Sequence, residues 1–101
     1  METFDYIIIG AGSAGCVLAN RLSENPSLNI LLIEAGGSDK HPYIQAPAGF
    51  LKTFDNLRFN WCYQTKEGEG VGGRKIFFPR GKVLGGSSSI CGHLYVRGQS
   101  K

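Results

Sequence analysis

Phe4-Asp5-Tyr6-Ile7-Ile8-Ile9-Gly10-Ala11-Gly12-Ser13-Ala14-Gly15 is the stretch that decides the fold of this chain. The apolar run reads as a buried strand, and it leads straight into a GxGxxG loop followed by a helix-forming segment. Gly10 turns the chain out of the strand, and Gly12 lets backbone approach a pyrophosphate. Gly15 lets the helix pack close to the sheet. The start of that helix presents unpaired N–H groups and a partial positive charge to a phosphate.

Downstream residues complete a βαβ unit. Ala14, Leu18, Ala19 and Leu22 suit a helix packed on a sheet, Asn25-Pro26 is the expected helix stop, and Asn29 to Ile33 read as a second buried strand. Glu34 follows nineteen positions after Gly15, where a carboxylate accepts hydrogen bonds from the ribose hydroxyls of an adenosine and repels a 2′-phosphate. The strand, loop, helix, strand and acid in that order carry more weight than a GxGxxG alone. This spacing argues against NADP but leaves NAD and FAD open, because both contain an adenosine diphosphate half.

The chain has 101 residues, of which 42% are hydrophobic and 19% charged, an ordinary composition for one globular domain at most. Too few parallel strands follow Glu34 to complete a doubly wound sheet. The expectation is therefore an α/β chain with an incomplete Rossmann-like dinucleotide-binding domain and a bare sheet edge. The net charge of +3 comes from scattered basic residues, without a stripe that would indicate nucleic acid. No secretory signal or membrane-spanning segment is read. Cys16, Cys62 and Cys91 are odd in number and lack metal-ligand spacing, so no metal site is expected, and reduced thiols in a cytoplasmic setting fit best.

Beyond the first unit, Gly36 to Pro42 read as a breaker-rich loop, and Ala48 to Phe54 as a short helix with Pro47 in its first turn. Asn60 to Thr65 and Arg74 to Phe78 are β-prone and predict a hairpin or two adjacent strands. Trp61, Tyr63, Phe77 and Phe78 are read as core rather than as a ligand platform. A second glycine cluster, Pro79-Arg80-Gly81-Lys82-Val83-Leu84-Gly85-Gly86-Ser87-Ser88-Ser89-Ile90-Cys91-Gly92, holds residues that bring backbone near a flat or anionic ligand. Its serines can cap a helix starting near Ser87 or Ser88, and by composition alone a flexible Gly/Ser loop fits equally well. His41 and His93 are the only histidines and are read as surface or packing residues rather than catalytic ones.

Asp5 to Leu22, Leu32 to Gly36 and Pro79 to Ile90, together with Asn60-Trp61 and Tyr95-Val96-Arg97-Gly98, closely resemble the glucose-methanol-choline (GMC) flavin oxidoreductases. The likeness is strongest to bacterial choline dehydrogenase-like and acceptor-dependent alcohol dehydrogenases. It runs from Phe4 to Gln99 and implies FAD rather than NAD. It also implies that Gly10, Gly12, Ser13, Ala14 and Gly15 hold the pyrophosphate and that Glu34, beside Ala35, holds the ribose. The segment from Arg80 through Val83, Gly85 and Cys91 to Gly92 would pass beside the flavin. Ile90 stands where members with covalently bound flavin have histidine, which implies non-covalent FAD. Cys91 stands where the family usually has asparagine, and a thiol is the weaker hydrogen-bond partner.

The implied reaction is oxidation of an alcohol, choline or another primary alcohol, to an aldehyde by hydride transfer to flavin. Its catalytic histidines lie in a downstream part of the family sequence. Residues 1–101 then read as the amino-terminal part of a GMC-type FAD-binding domain, without the carboxy-terminal catalytic domain and with no catalytic residue of its own. The alternatives are an FAD- or adenine-nucleotide-binding module and a truncated remnant without catalysis. The sequence names no electron acceptor, and peripheral association with the inner membrane through a quinone stays open.

Overall fold

The computed structural model describes residues 1–100. Strand β1 (Tyr6–Ile9), helix α1 (Ser13–Leu22) and strand β2 (Ile30–Ile33) form the expected βαβ unit, with β1 and β2 parallel and Tyr6 opposite Ile30 through Ile9 opposite Ile33. The ladder continues into the loop through the Gly10 N–H, which donates to the Ile33 carbonyl at 2.7 Å. Gly10 takes a φ of +96°, a conformation open to glycine at little cost. A Cβ on Gly15 would collide with the Gly10 carbonyl oxygen, so α1 sits on the sheet at a distance only glycine allows.

The helix departs from the sequence reading in two places. Its less exposed stripe is Gly15, Ala19 and Leu22, whereas Leu18 lies more than half exposed. Ala14 is exposed as well. The close approach at Gly15 fixes the rotation of the helix, and Leu18 turns away from the sheet. The helix also ends at Leu22 rather than at Asn25-Pro26. The Ser23 hydroxyl donates to the Asn20 carbonyl, and the Glu24 N–H donates to the Arg21 carbonyl in a tighter turn.

The strands expected to be buried are covered on one side only. Ile8 packs under α1, while Ile7, Ile9 and Ile33 on the opposite face are exposed, Ile9 to 86%. Parallel sheets ordinarily carry helices on both faces. In a two-stranded sheet both strands are also edges, which agrees with the expected bare edge.

The second half builds its own small core. Helix α2 (Pro42–Gln45), absent from the sequence reading, starts inside the segment read as a loop. The His41 Nδ1 caps it by accepting the Tyr43 N–H at 3.2 Å. A 3₁₀ turn over Pro47–Thr53, with Pro47 in its first turn, stands where the short helix was expected. Ile44, Phe59, Val83 and Ile90 cluster together, and the His41 ring lies 4.8 Å from that of Phe59. Each such buried apolar side chain contributes about 1.5–3 kcal/mol.

Strands β3 (Tyr63–Gln64) and β4 (Phe77–Phe78) form the expected antiparallel pair, joined through a 3₁₀ turn at Glu69–Val71. Their aromatic residues are not core. Trp61, Tyr63, Phe77 and Phe78 are each 40–50% exposed, because no second layer covers this short ribbon.

Two outcomes follow from this packing. Gly15→Ala lowers the stability of the chain by about 1–3 kcal/mol, as expected for overpacking against backbone. Gly70→Ala, where a Cβ meets open space, stays within about 0.5 kcal/mol; urea midpoints distinguish the two. Ile7→Thr raises the protein concentration at which light scattering reports self-association, with little change in unfolding midpoint, because Ile7 lies on the uncovered sheet face.

Candidate functional site

The end of β2 and the first glycine loop are joined by one side chain. The half-buried Glu34 carboxylate accepts the Ala11 N–H on Oε2 at 2.7 Å and the Gly36 N–H on Oε1 at 2.8 Å. These bonds hold the turn from Gly10 to Gly12 beside the carboxylate expected to meet a ribose. Each carboxylate oxygen keeps a further acceptor position. Gly12 precedes α1 and its carbonyl accepts the Cys16 N–H at 2.9 Å, so the amides of Ser13, Ala14 and Gly15 come before the first helical bond. The first turn of α1 carries no acidic side chain to oppose an anion.

The second glycine cluster is built onto the first. The Gly85 N–H donates to the Ala11 carbonyl at 2.7 Å, and a Cβ on Gly86 would stand 2.9 Å from Gly12 Cα. Gly36 packs so closely on Lys82 and Val83 that a Cβ there would overlap their backbone, and the Leu84 N–H donates to the Gly37 carbonyl at 2.9 Å. Gly85 and Gly86 both take positive φ, +87° and +60°.

In place of a serine-capped helix stands a 3₁₀ turn over Gly86–Ile90, preceded by Gly85 without a side-chain cap. The serines serve the loop. Ser88 and Ser89 donate their hydroxyls to the carbonyls of Gly85 and Leu84, and the Ser87 Oγ accepts the Gly81 N–H at 3.0 Å. Two successive left-handed glycines tighten the chain here, which turns the hydroxyls back onto carbonyls instead of onto helix amides.

Between these parts lies an open cleft of about 500 Å³, within the size range of ligand sites. One wall holds Gly10, Gly12, Glu34 and Ala35. The other holds Trp61, Tyr63, Arg80, Gly81 and Ser87. Trp61 and Tyr63 stack in parallel, with ring centres 5.9 Å apart and planes 3° apart. The Lys82 ammonium lies 4.8 Å from the Trp61 ring centre and the Arg80 guanidinium 3.7 Å from that of Phe78, which steadies this wall.

The sequence-predicted residues thus fall in several places. Gly10, Gly12, Glu34, Ala35 and Arg80 meet in the cleft. Ser13 and Ala14 open α1, Gly15 is buried on its sheet-facing side, and Gly85 binds Ala11. Val83 is fully buried in the second core. Cys91 and Gly92 line a separate cavity of about 230 Å³, which shares Arg80 and Ser87 with the main cleft. The sequence reading missed Trp61 and Tyr63 on the cleft wall. An i, i+2 spacing reads as one side of a strand, core or open, but β3 begins only at Tyr63 and Cys62 between the two rings is left-handed. Neither His41 nor His93 lines either cavity. Among the described residues no cluster of side chains is arranged to hold a metal ion, and no helix is long and apolar enough to cross a membrane.

Comparison with known proteins agrees with this architecture. The chain is 53% identical over 99 residues to an oxygen-dependent choline dehydrogenase of Vibrio vulnificus (strain YJ016), covering 98% of this chain and 18% of that protein. Its fold is similar to the crystal structure of pyridoxine 4-oxidase from Mesorbium loti, with a TM-score of 0.87 and 41% identity over 95% of this chain and 19% of the other. It is also similar to an FAD-dependent oxidoreductase from Chaetomium thermophilum, with a TM-score of 0.76 and 29% identity over 95% of this chain and 16% of the other. The chain therefore spans about a fifth of the length of the proteins it resembles. The family pattern described as GMC oxidoreductase matches residues 4–101, nearly the whole chain, and on this evidence the chain belongs to the GMC oxidoreductase family.

Proposed function

We propose that residues 1–101 are the amino-terminal part of the FAD-binding domain of a GMC alcohol dehydrogenase. In this reading they hold the adenosine diphosphate half of FAD and form one side of the flavin site. The observation that carries it is the first cleft wall. There, Glu34 at the end of β2 faces the glycine loop and the uncapped start of α1. That donor and acceptor set suits a ribose next to a pyrophosphate. Gly12 has open space above it, so a phosphate meets bare backbone.

Gly10, Gly12, Ser13, Ala14 and Gly15 would carry the pyrophosphate, and Glu34 with Ala35 the ribose. Arg80, Gly85, Cys91 and Gly92 would border the flavin, with Val83 supporting them from the core. The bound flavin supplies the hydride acceptor for oxidation of a primary alcohol, such as choline, to an aldehyde. The chain's own residues bind and orient, since neither histidine reaches the cleft and the proposed catalytic base belongs to sequence outside this chain. The three free thiols are those of a reducing, cytoplasmic setting.

Isothermal titration of the 101-residue chain tests the reading, with both FAD and ADP expected to bind. Absence of binding by either at about 1 mM, equivalent to less than about 4 kcal/mol of affinity, would overturn it. Glu34→Gln weakens ADP about tenfold or more, because its amide nitrogen must face one of the two N–H donors. Wild-type chain should also prefer ADP to its 2′-phosphorylated form. The side chain of Ile90 has no nucleophile, so after acid denaturation and filtration all flavin is expected in the filtrate; flavin retained on the protein would instead mark covalent attachment.

A further inference from the structure

The side chain that sets the second wall of the cleft is Asn60, which lines neither cavity. It is 1% exposed, and every polar atom of its carboxamide is used. The Oδ1 accepts the N–H of Arg80 and the N–H of Cys62, both at 2.9 Å. The Nδ2 donates to the Phe54 carbonyl at 2.7 Å and to the Thr53 carbonyl at 3.4 Å. One amide thus ties together the end of the 3₁₀ turn, the start of the aromatic strand beside it and, twenty residues on, the entry to the second glycine cluster.

The consequences run outward from that carboxamide. Cys62 is held at a φ of +52°, in the left-handed region unusual for a residue with a Cβ, and its amide is one of the two bound by Asn60. On either side of Cys62 stand Trp61 and Tyr63, the two rings of the cleft wall. Arg80, the other amide donor, borders both cavities. The backbone continues the link: Trp61 donates its N–H to the Arg80 carbonyl at 2.9 Å, and Lys82 donates to the Phe59 carbonyl at 2.7 Å. Gly81 then passes so close to Gly86 that a Cβ would overlap it. Behind the opposite wall Glu34 accepts from Ala11 and Gly36, and neither bond uses Asn60.

We propose that Asn60 is a positioning residue for the cofactor, aligning the wall formed by Trp61, Tyr63 and Arg80 against the glycine loop. This rests on the FAD reading given above. On that reading the adenosine diphosphate half rests on the first wall, and the remaining half of FAD would extend to Arg80 on the second. Asn60 therefore acts on the preference for FAD over ADP, rather than on nucleotide binding in general.

The test uses the 101-residue chain, with Asn60→Ala and Asn60→Asp. The alanine variant removes the acceptor from Arg80 and Cys62. It is expected to weaken FAD about tenfold or more while ADP changes less than about threefold. Asn60→Asp keeps an acceptor oxygen towards those amides but turns the other towards the carbonyls of Phe54 and Thr53. It is expected to be the less stable protein and yet to retain more of the preference for FAD. Loss of FAD and ADP binding in parallel, or a preference that simply follows stability in both variants, overturns the proposal.

Amide hydrogen exchange without ligand provides a second reading. In Asn60→Ala, protection should fall at Cys62 and Arg80 and persist at Ala11 and Gly36. Equal loss at all four, or none at Arg80, refutes the positioning role. If the wild-type chain binds neither nucleotide, the FAD reading fails, and the exchange pattern still decides whether Asn60 aligns the wall. If Asn60→Ala does not fold, Asn60→Asp decides alone through its FAD preference and its exchange at Arg80.

Discussion

The Glu34 carboxylate is the constraint on which the rest of the site depends. It stands at the end of β2 and accepts two backbone N–H groups, one from its own following turn and one from the loop after β1. Hydrogen bonds to a charged acceptor are worth about 1.5–3 kcal/mol each. The bond from Ala11 is directed, so it fixes the path of that residue as well as its position, and the bond from Gly36 holds the carboxylate in place. With Ala11 placed, its carbonyl is available to Gly85, and Gly86 comes to rest on Gly12. A residue whose spacing marks it as a ribose ligand is thus also the pin that joins the two glycine clusters.

The two halves of the chain are stabilised unequally. Around Val83, four apolar side chains bury one another under α2 and the following turns. The βαβ unit instead buries Ile8 and Gly15 between sheet and helix and leaves a face of isoleucine side chains exposed. Parallel strands with both faces apolar are built for cover on both sides. The relatives are about five times longer than this chain. The open cleft is formed from one wall of each half, and its shape depends on how the two are tied.

How much was legible in the residues followed the range of the interactions involved. The βαβ order, the left-handed turn at Gly10 and the acid at the end of β2 are set by local period and spacing, and all are present. The ribbon of β3 and β4 was legible for the same reason, from two β-prone runs with glycines between them. Leu18 was misread because helical period marks a stripe without its rotation, and the contact of Gly15 with the Gly10 carbonyl chooses that rotation. Trp61 and Tyr63 were misread as core because alternation does not say whether a second layer covers the strand. The residues leave the serines open between caps and loop because the successive left-handed turns at Gly85 and Gly86 are a backbone property that composition does not reveal.

By itself the sequence determined the α/β class, the glycine loop, the acid that faces it and the likeness to the GMC oxidoreductases, since these rest on residues adjacent in the chain or at fixed spacing. Only the tertiary structure decided that the two glycine clusters touch, that Glu34 holds Ala11, and that Asn60 joins Phe54, Cys62 and Arg80. The bonds of Glu34 to Ala11 and of Asn60 to Arg80 bring together residues 23 and 20 positions apart. They are chosen by which buried amides and carbonyls find partners once the chain has closed, a choice that no local pattern encodes.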